Sequence, residues 1–201
     1  AVAFILGAIS ARTQFCTLGA VSDIVNMNDF TRMRMWVLAM AIAILGAQGL
    51  YAADLIDLSK AFYTRPNITW LSYVGGGLMF GIGMTLASGC GSRTLVRIGG
   101  GNQKSIVVFA FLGIAAYMTM KGLFGVWRVN TLDAVAIDVA RHGVATQELG
   151  SFLAPLLNVS KKIAQIILAC LVAGPMLVFV VMSREFRTSL DAWLGGLGYG
   201  L

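Results

Sequence analysis

Residue types on which catalytic and metal sites depend are scarce in this sequence. Its 201 residues include one histidine, three cysteines and 12% charged residues. The cysteines form no Cys-x-x-Cys pair or Cys/His cluster, so no disulfide framework and no metal are expected. The glycine triplet 99–101 lacks the Gly-Lys-Ser/Thr ending of a phosphate-binding loop. We therefore expect neither a cofactor nor an enzyme.

Polar surface is scarce as well. With 58% hydrophobic residues and a mean hydropathy of +0.80, the chain cannot cover a water-soluble globule of its size. Its net charge of +6 comes from Lys and Arg at the ends of apolar runs, without a basic stripe and interleaved aromatics, so nucleic-acid binding is not expected. The composition predicts an all-α membrane protein, a multi-span helical bundle in the lipid bilayer.

Apolar runs bounded by charge give the predicted spans, since about 20 residues cross a bilayer. The runs are 1–11 (partial), 35–53, 71–89, 105–122 and 163–182, within a single transmembrane domain, 1–201. In the third run, Gly77 and Gly81 have the spacing that lets helices approach closely in lipid. The chain begins inside an apolar stretch and ends like the start of another span, so we expect it to be truncated.

Basic residues predict the orientation of these spans. Connections 10–34 and 90–104 each carry three Lys or Arg, which favours the cytoplasmic side. The 121–162 segment, with five, opposes this assignment but is long enough for the rule to weaken. Within it, 132–140 and 150–157 are candidate surface or re-entrant helices. His142 also lies there, outside the spans, so proton coupling is not predicted.

The most informative stretch is 81–105, where an apolar run breaks around Cys90 before basic residues follow. Gly89 and Gly91 flank Cys90, so main-chain N–H groups and the sulfur can approach a solute closely. Irregular backbone at membrane depth lines a cavity or is buried in protein, which favours a permeation site made of short re-entrant or broken helices. The alternative is an ordinary helix end closed by glycine.

A second cysteine stretch echoes the first. Gly7 precedes Cys16 by nine residues, as Gly81 precedes Cys90. If this echo is more than chance, two similar hairpins each bring a cysteine to one place. Cys170, in contrast, has aliphatic neighbours and is interpreted as a small buried hydrophobic residue.

The chemistry of these residues favours a soft solute. A thiol is a weak, polarisable donor that suits sulfur-containing solutes better than a hard anion, although free cysteine is often simply buried and inert. Arg12, Arg93 and Arg97 either attract an anion to the cysteines or anchor the spans at the membrane edge. Ser92 and Thr94 have no base beside them, so no nucleophile is predicted.

Both cysteine motifs resemble the YeeE/YedE, or thiosulfate-permease type, family of bacterial inner-membrane sulfur transporters. The matching residues are Arg12-x-x-Phe15-Cys16-x-x-Gly19-Ala20-x-x-Asp23, Gly76-Gly77, Phe80-Gly81-x-Gly83-x-x-x-Ala87-x-Gly89-Cys90 and Gly99-Gly100-Gly101-Asn102. They follow the family's order over about the first 105 residues. The resemblance implies an inverted repeat of two halves, in which cysteines near the centre pass thiosulfate along by weak S–H contacts.

By this motif match, Cys90 is the pathway cysteine of the first half and Cys16 belongs to the preceding element. The predicted pathway residues are Cys90, Cys16, Gly89, Gly91, Ser92, Arg93, Gly81 and Gly83. The chain departs from the family in holding only the first half and the start of the second, without the partner cysteines. Either it is a fragment, or a second copy or second half-transporter subunit completes the pathway.

Three hypotheses follow. The first is uptake of a small sulfur-containing anion, such as thiosulfate, across the bacterial inner membrane through a cysteine-lined pathway. The alternative is a structural or interaction subunit of a membrane complex whose cysteines are inert. A third is a redox-active pair of Cys16 and Cys90, which requires disulfide geometry.

Overall fold

The computed structural model describes residues 2–53, 55–56, 67–131, 137–138 and 161–200. Their helices are α1 (Val2–Thr13), α2 (Thr17–Met27), α3 (Thr31–Ala52), α4 (Trp70–Leu86), α5 (Gly91–Gly99), α6 (Gln103–Lys121), α7 (Leu123–Thr131), α8 (Lys161–Val181), α9 (Arg184–Thr188) and α10 (Leu190–Gly200). Two short strands, β1 (Asn67–Ile68) and β2 (Ile137–Asp138), pair antiparallel. The predicted all-α class is confirmed.

Five helical segments of the described chain are long and apolar enough to cross a membrane. They are Val2–Met27, Thr31–Ala52, Trp70–Gly99, Gln103–Lys121 and Ile163–Val181. Each overlaps one predicted apolar run. The first and third are longer than predicted because each joins two helices, α1 with α2 and α4 with α5, across a break.

This joining corrects the interpretation of 10–34 and 90–104 as connecting loops. Helix α2 lies in the first and helix α5 in the second, so Arg12, Arg93 and Arg97 belong to the helical segments rather than to loops. The polar residues in α2 and α5 lower the local hydropathy, so the two helices did not stand out in the sequence. A helix nevertheless tolerates polar side chains, because its hydrogen bonds are formed by the backbone. No observation tests the predicted orientation, which stays a prediction.

The chain divides into two compact units, each made of two stretches of sequence, and one of the boundaries lies inside α3. Unit 1 comprises Ala1–Met33 and Thr69–Ala136, and unit 2 comprises Arg34–Ile68 and Ile137–Leu201. The single transmembrane domain stays a prediction. Of the other predicted features, the 150–157 stretch and His142 lie outside the described residues, as does all of 132–140 except β2.

In unit 1, α5 contacts both α1 and α6, and α6 contacts α7. The α5–α6 turn contains Gly101 in the left-handed region, φ 85°, and Asn102 caps α6 by accepting a hydrogen bond from the Lys104 amide at 3.1 Å. The predicted close approach at Gly77 and Gly81 does not occur among the described residues, because nothing lies within 4 Å of a Cβ built at either.

In unit 2, close packing instead occurs between α3 and α10. A Cβ built at Gly196 would overlap Leu38, and one at Gly200 would lie 2.7 Å from Ile42 Cβ. Glycines four residues apart let two helix backbones approach, as is common in membranes. Nearby in the same unit, Arg34 lies 5.2 Å from the centroid of the Phe179 ring.

Candidate functional site

Two broken helices with the same local backbone design form the centre of unit 1. After α1, Gln14 takes a left-handed conformation, φ 48°, and Cys16, in extended conformation, is the N-cap of α2. After α4, Ser88 takes the same left-handed conformation, φ 55°, and Cys90, in extended conformation, is the N-cap of α5. Left-handed backbone is uncommon outside glycine and ends a helix sharply. The internal echo in the sequence therefore extends to the backbone.

The two thiols meet. The Sγ atoms of Cys16 and Cys90 lie 3.4 Å apart, and the residues are 2% and 9% exposed. Both cysteines are free, and their separation is that of a thiol hydrogen bond, whereas a disulfide requires about 2.05 Å. The expectation that two motifs bring their cysteines to one place is confirmed. Ser92 Oγ lies 3.1 Å from Cys90 Sγ and extends this contact.

Both cysteines stand at helix N-termini. The first helical bonds run from Ala20 N to the Cys16 carbonyl and from Thr94 N to the Cys90 carbonyl, each 3.0 Å. The earlier N–H groups of each first turn have no acceptor within their own helix. They carry the positive end of the helix dipole, equivalent to roughly half a unit charge. Two partly positive backbone ends therefore converge on the thiol pair.

Arg93 adds a full positive charge at this place. Its side chain, together with the backbone amides of Gly19 and Cys90, faces the Cys16 sulfur. A Cβ built at Gly89 would touch the Arg93 stem, with Cδ at 3.5 Å, so the chain before Cys90 lies against this arginine. Among the described residues, no carboxylate pairs with Arg93. The arrangement can hold a small soft anion.

A cavity of about 180 Å³ adjoins these residues within unit 1. It is lined by Ser10, Ala11, Gln14, Phe15, Arg93, Val96 and Arg97. Arg97 also donates a hydrogen bond from Nη1 to the Ser88 carbonyl at 3.2 Å, which supports the break before Cys90. The cavity is thus bordered by two arginines of α5 and by the helix break before Cys16.

The predicted residues divide into two groups. Cys16, Cys90, Gly89, Ser92 and Arg93 come together as described. Gly91 begins α5, and nothing lies within 4 Å of a Cβ built there. Gly81 and Gly83 lie inside α4, where a Cβ would also meet nothing within 4 Å, and the structure does not bring them into this cluster. A role in a pathway stays a prediction for every one of these residues.

Three residues of the site were not among the predicted pathway residues, although Gly19 and Asp23 belong to the Cys16 motif that matches the family. Arg32 and Asp23 form an ion pair of 3.1 Å, and Gly19 lies against both Arg32 and Arg93. The available signal was the spacing of Cys16, Gly19 and Asp23, three and four residues apart, which puts them on one helix face.

Two other observations concern cysteine and metal chemistry. Cys170 is exposed on α8 of unit 2, so its interpretation as a buried residue is wrong. The aliphatic sequence around Cys170 predicted a helix correctly but did not predict which face of the helix is buried.

In the part of the chain that the structure describes, no group of three His, Cys, Asp or Glu residues could hold a metal ion.

Two curated relatives are similar to this chain. A thiosulfate transporter, TsuA, of Spirochaeta thermophila is 30% identical over 129 residues, which are 63% of this chain and 37% of the relative. A thiosulfate transporter, TsuA, of Escherichia coli K12 is 30% identical over 115 residues, which are 57% of this chain and 31% of the relative. The chain thus matches about a third of the length of these transporters.

A family model described as "Sulphur transport" matches residues 12–195. The match includes both helix breaks and four of the five apolar segments in full, and it begins near the end of α1. The resemblance seen in the two cysteine motifs is confirmed by this match. The chain is therefore a multi-pass membrane protein that belongs to the sulphur transport family.

Proposed function

We propose that this chain takes up a small sulfur-containing anion, thiosulfate in the first instance, across the bacterial inner membrane along a pathway that passes the Cys16–Cys90 pair. One observation carries the proposal: two free thiols 3.4 Å apart at the N-termini of two broken helices, with Arg93 beside them. The relatives named thiosulfate transporters support the choice of substrate.

The chemistry of the cluster suits such an anion. Thiosulfate carries its charge on oxygen and on a terminal sulfur, and soft S–H groups are weak donors matched to soft acceptors. Backbone N–H groups at α2 and α5 offer partial positive charge to the oxygens without burying further full charges. Open space over Gly91 leaves the α5 N-terminus reachable.

Weak binding of the anion at several groups helps it to pass along the pathway. A pathway must attract the ion strongly enough for entry and release it quickly enough for exit. Arg93 supplies long-range attraction, whereas the thiols supply only weak contacts. We therefore infer that the anion moves from the arginine-lined cavity past the two sulfurs, while a second copy or a second half of the transporter completes the pathway.

Uptake by cysteine variants of the complete protein tests the proposal. Cys90→Ala is expected to reduce uptake of radiolabelled thiosulfate at least about tenfold, and Cys16→Ala to reduce it less. Cys170→Ala is the matched control, because it removes a thiol that is exposed on unit 2, and it should transport like the wild type. Wild-type uptake by a well-expressed Cys90→Ala protein would refute the proposal.

Thiol labelling separates transport from a structural role. Because Cys90 is 9% exposed and Cys16 only 2%, a small water-soluble maleimide should react first with Cys90. Thiosulfate should slow this reaction. A Cys90 that reacts at the same rate with and without thiosulfate favours a structural subunit with inert cysteines.

A further inference from the structure

We propose that Arg32 is a second cationic group of the anion site, and that Asp23 sets the net charge of the site. This inference rests on the proposed function and deepens it. The Arg32–Asp23 ion pair would set how strongly the site attracts the anion and how quickly it releases it.

The position of Gly19 shows how close Arg32 comes. A Cβ built on Gly19 would lie 2.8 Å from Arg32 Nη1, 3.7 Å from Arg93 Nη1 and 3.5 Å from Cys16 Cβ. Two guanidinium groups, from the first turn of α3 and from α5, therefore come within 4 Å of one point beside the thiol. The absence of a side chain at Gly19 leaves the room that they share.

Asp23 fixes the direction of Arg32. Its Oδ2 lies 3.1 Å from Arg32 Nε, and the residue is 8% exposed. Because Nε is engaged by this carboxylate, Nη1 at the other end of the guanidinium is directed to Gly19. Asp23 follows Gly19 by one helical turn, so both lie on the same face of α2. The pair thus holds a cation in place instead of merely neutralising it.

The Arg32–Asp23 pair determines the net charge beside the two thiols. Arg32 and Arg93 with Asp23 sum to +1, a modest attraction for an anion at the thiols. Without the carboxylate the sum is +2, so an anion should bind more tightly and leave more slowly. Without Arg32 the sum falls to zero. At an effective dielectric constant of about 20, one unit charge about 5–7 Å away changes the affinity for an anion by more than about tenfold.

Charge variants of the complete protein in membranes test this inference. The measurement is the thiosulfate concentration that halves maleimide labelling of Cys90. Arg32→Gln should raise this concentration about tenfold or more, and Asp23→Asn should lower it about tenfold. The double variant, Asp23→Asn with Arg32→Gln, restores the wild-type sum and should lie within about threefold of the wild type. Asp23→Asn should also lower both the KM and the maximal rate of uptake.

Arg32→Lys is the control for misfolding, because it changes the side chain at position 32 but keeps its positive charge. It should keep the half-protecting concentration within about threefold of the wild type. If Asp23→Asn and Arg32→Gln weaken protection alike, or if neither changes it while thiosulfate still protects the wild type, the inference is overturned and the proposed function stands. If Cys90 of the wild type is labelled but never protected, the proposed function itself fails.

Discussion

Replacing Gly19 with alanine should disturb the anion site while leaving helix α2 intact. The new Cβ would lie 2.8 Å from Arg32 Nη1, so the guanidinium must retreat by about 0.6 Å to reach an ordinary contact of 3.4 Å. Arg93 Nη1, at 3.7 Å, already has such a contact and need not move. Gly19 is the third residue of α2, where alanine is favoured over glycine by up to about 0.8–1 kcal/mol, so the variant should fold.

The expected loss follows from Coulomb's law. If the Arg32 charge lies about 5 Å from a bound monoanion and retreats by about 0.6 Å, the attraction falls by about 0.36 kcal/mol at an effective dielectric constant of about 20. That energy corresponds to a factor of about 1.8 in affinity, and a dianion doubles the energy. The KM for thiosulfate should therefore rise between about 1.8-fold and about 3.3-fold.

The assay compares two glycine variants. Gly7→Ala in α1 gains the same helix propensity, but its Cβ meets nothing within 4 Å, which makes it the matched control. Initial uptake rates against thiosulfate concentration give KM, and thermal unfolding in detergent gives stability. A KM for Gly19→Ala equal to that of Gly7→Ala would refute the reasoning, provided that both proteins melt at or above the wild-type temperature.

Three further predictions concern the same unit. Mild oxidation with diamide should link Cys16 to Cys90 and stop uptake, because their sulfurs are 3.4 Å apart, and a reducing agent should restore it. Arg97→Ala should lower the free energy of unfolding by about 1 kcal/mol, since it removes the exposed hydrogen bond to the Ser88 carbonyl. Asn102→Ala should cost about 1 kcal/mol by removing the α6 cap, and Asn102→Asp should retain most of that stability.

Each of these predictions can be refuted. The Cys16–Cys90 disulfide is detected by mass spectrometry after proteolysis between the two cysteines, and fragments that separate without a reducing agent would show that the two sulfurs do not meet. For Arg97 and Asn102 the measurement is thermal or denaturant unfolding of the purified protein. Unchanged stability of either alanine variant would show that its hydrogen bond contributes nothing.

Much of the fold was predictable because the bilayer imposes a length and a polarity on each span. The runs 35–53, 105–122 and 163–182 correspond closely to α3, α6 and α8, since apolar content over about 20 residues is a local property. The prediction was weaker where polar residues enter a helix. Helices α2 and α5 were interpreted as connections because Arg12 and Arg93 lie in or beside them, although polar side chains in membrane segments commonly face protein.

The sequence by itself determined that this is a multi-span helical membrane protein whose apolar runs break at two cysteines, and its motifs identified the family. Only the tertiary structure decided that Cys16 and Cys90, 74 residues apart, touch, and that Arg32 and Arg93 share the space over Gly19. The physical reason is the range of the forces. Hydropathy and helix propensity act within one segment, whereas proximity depends on how separate helices pack, which no single segment encodes.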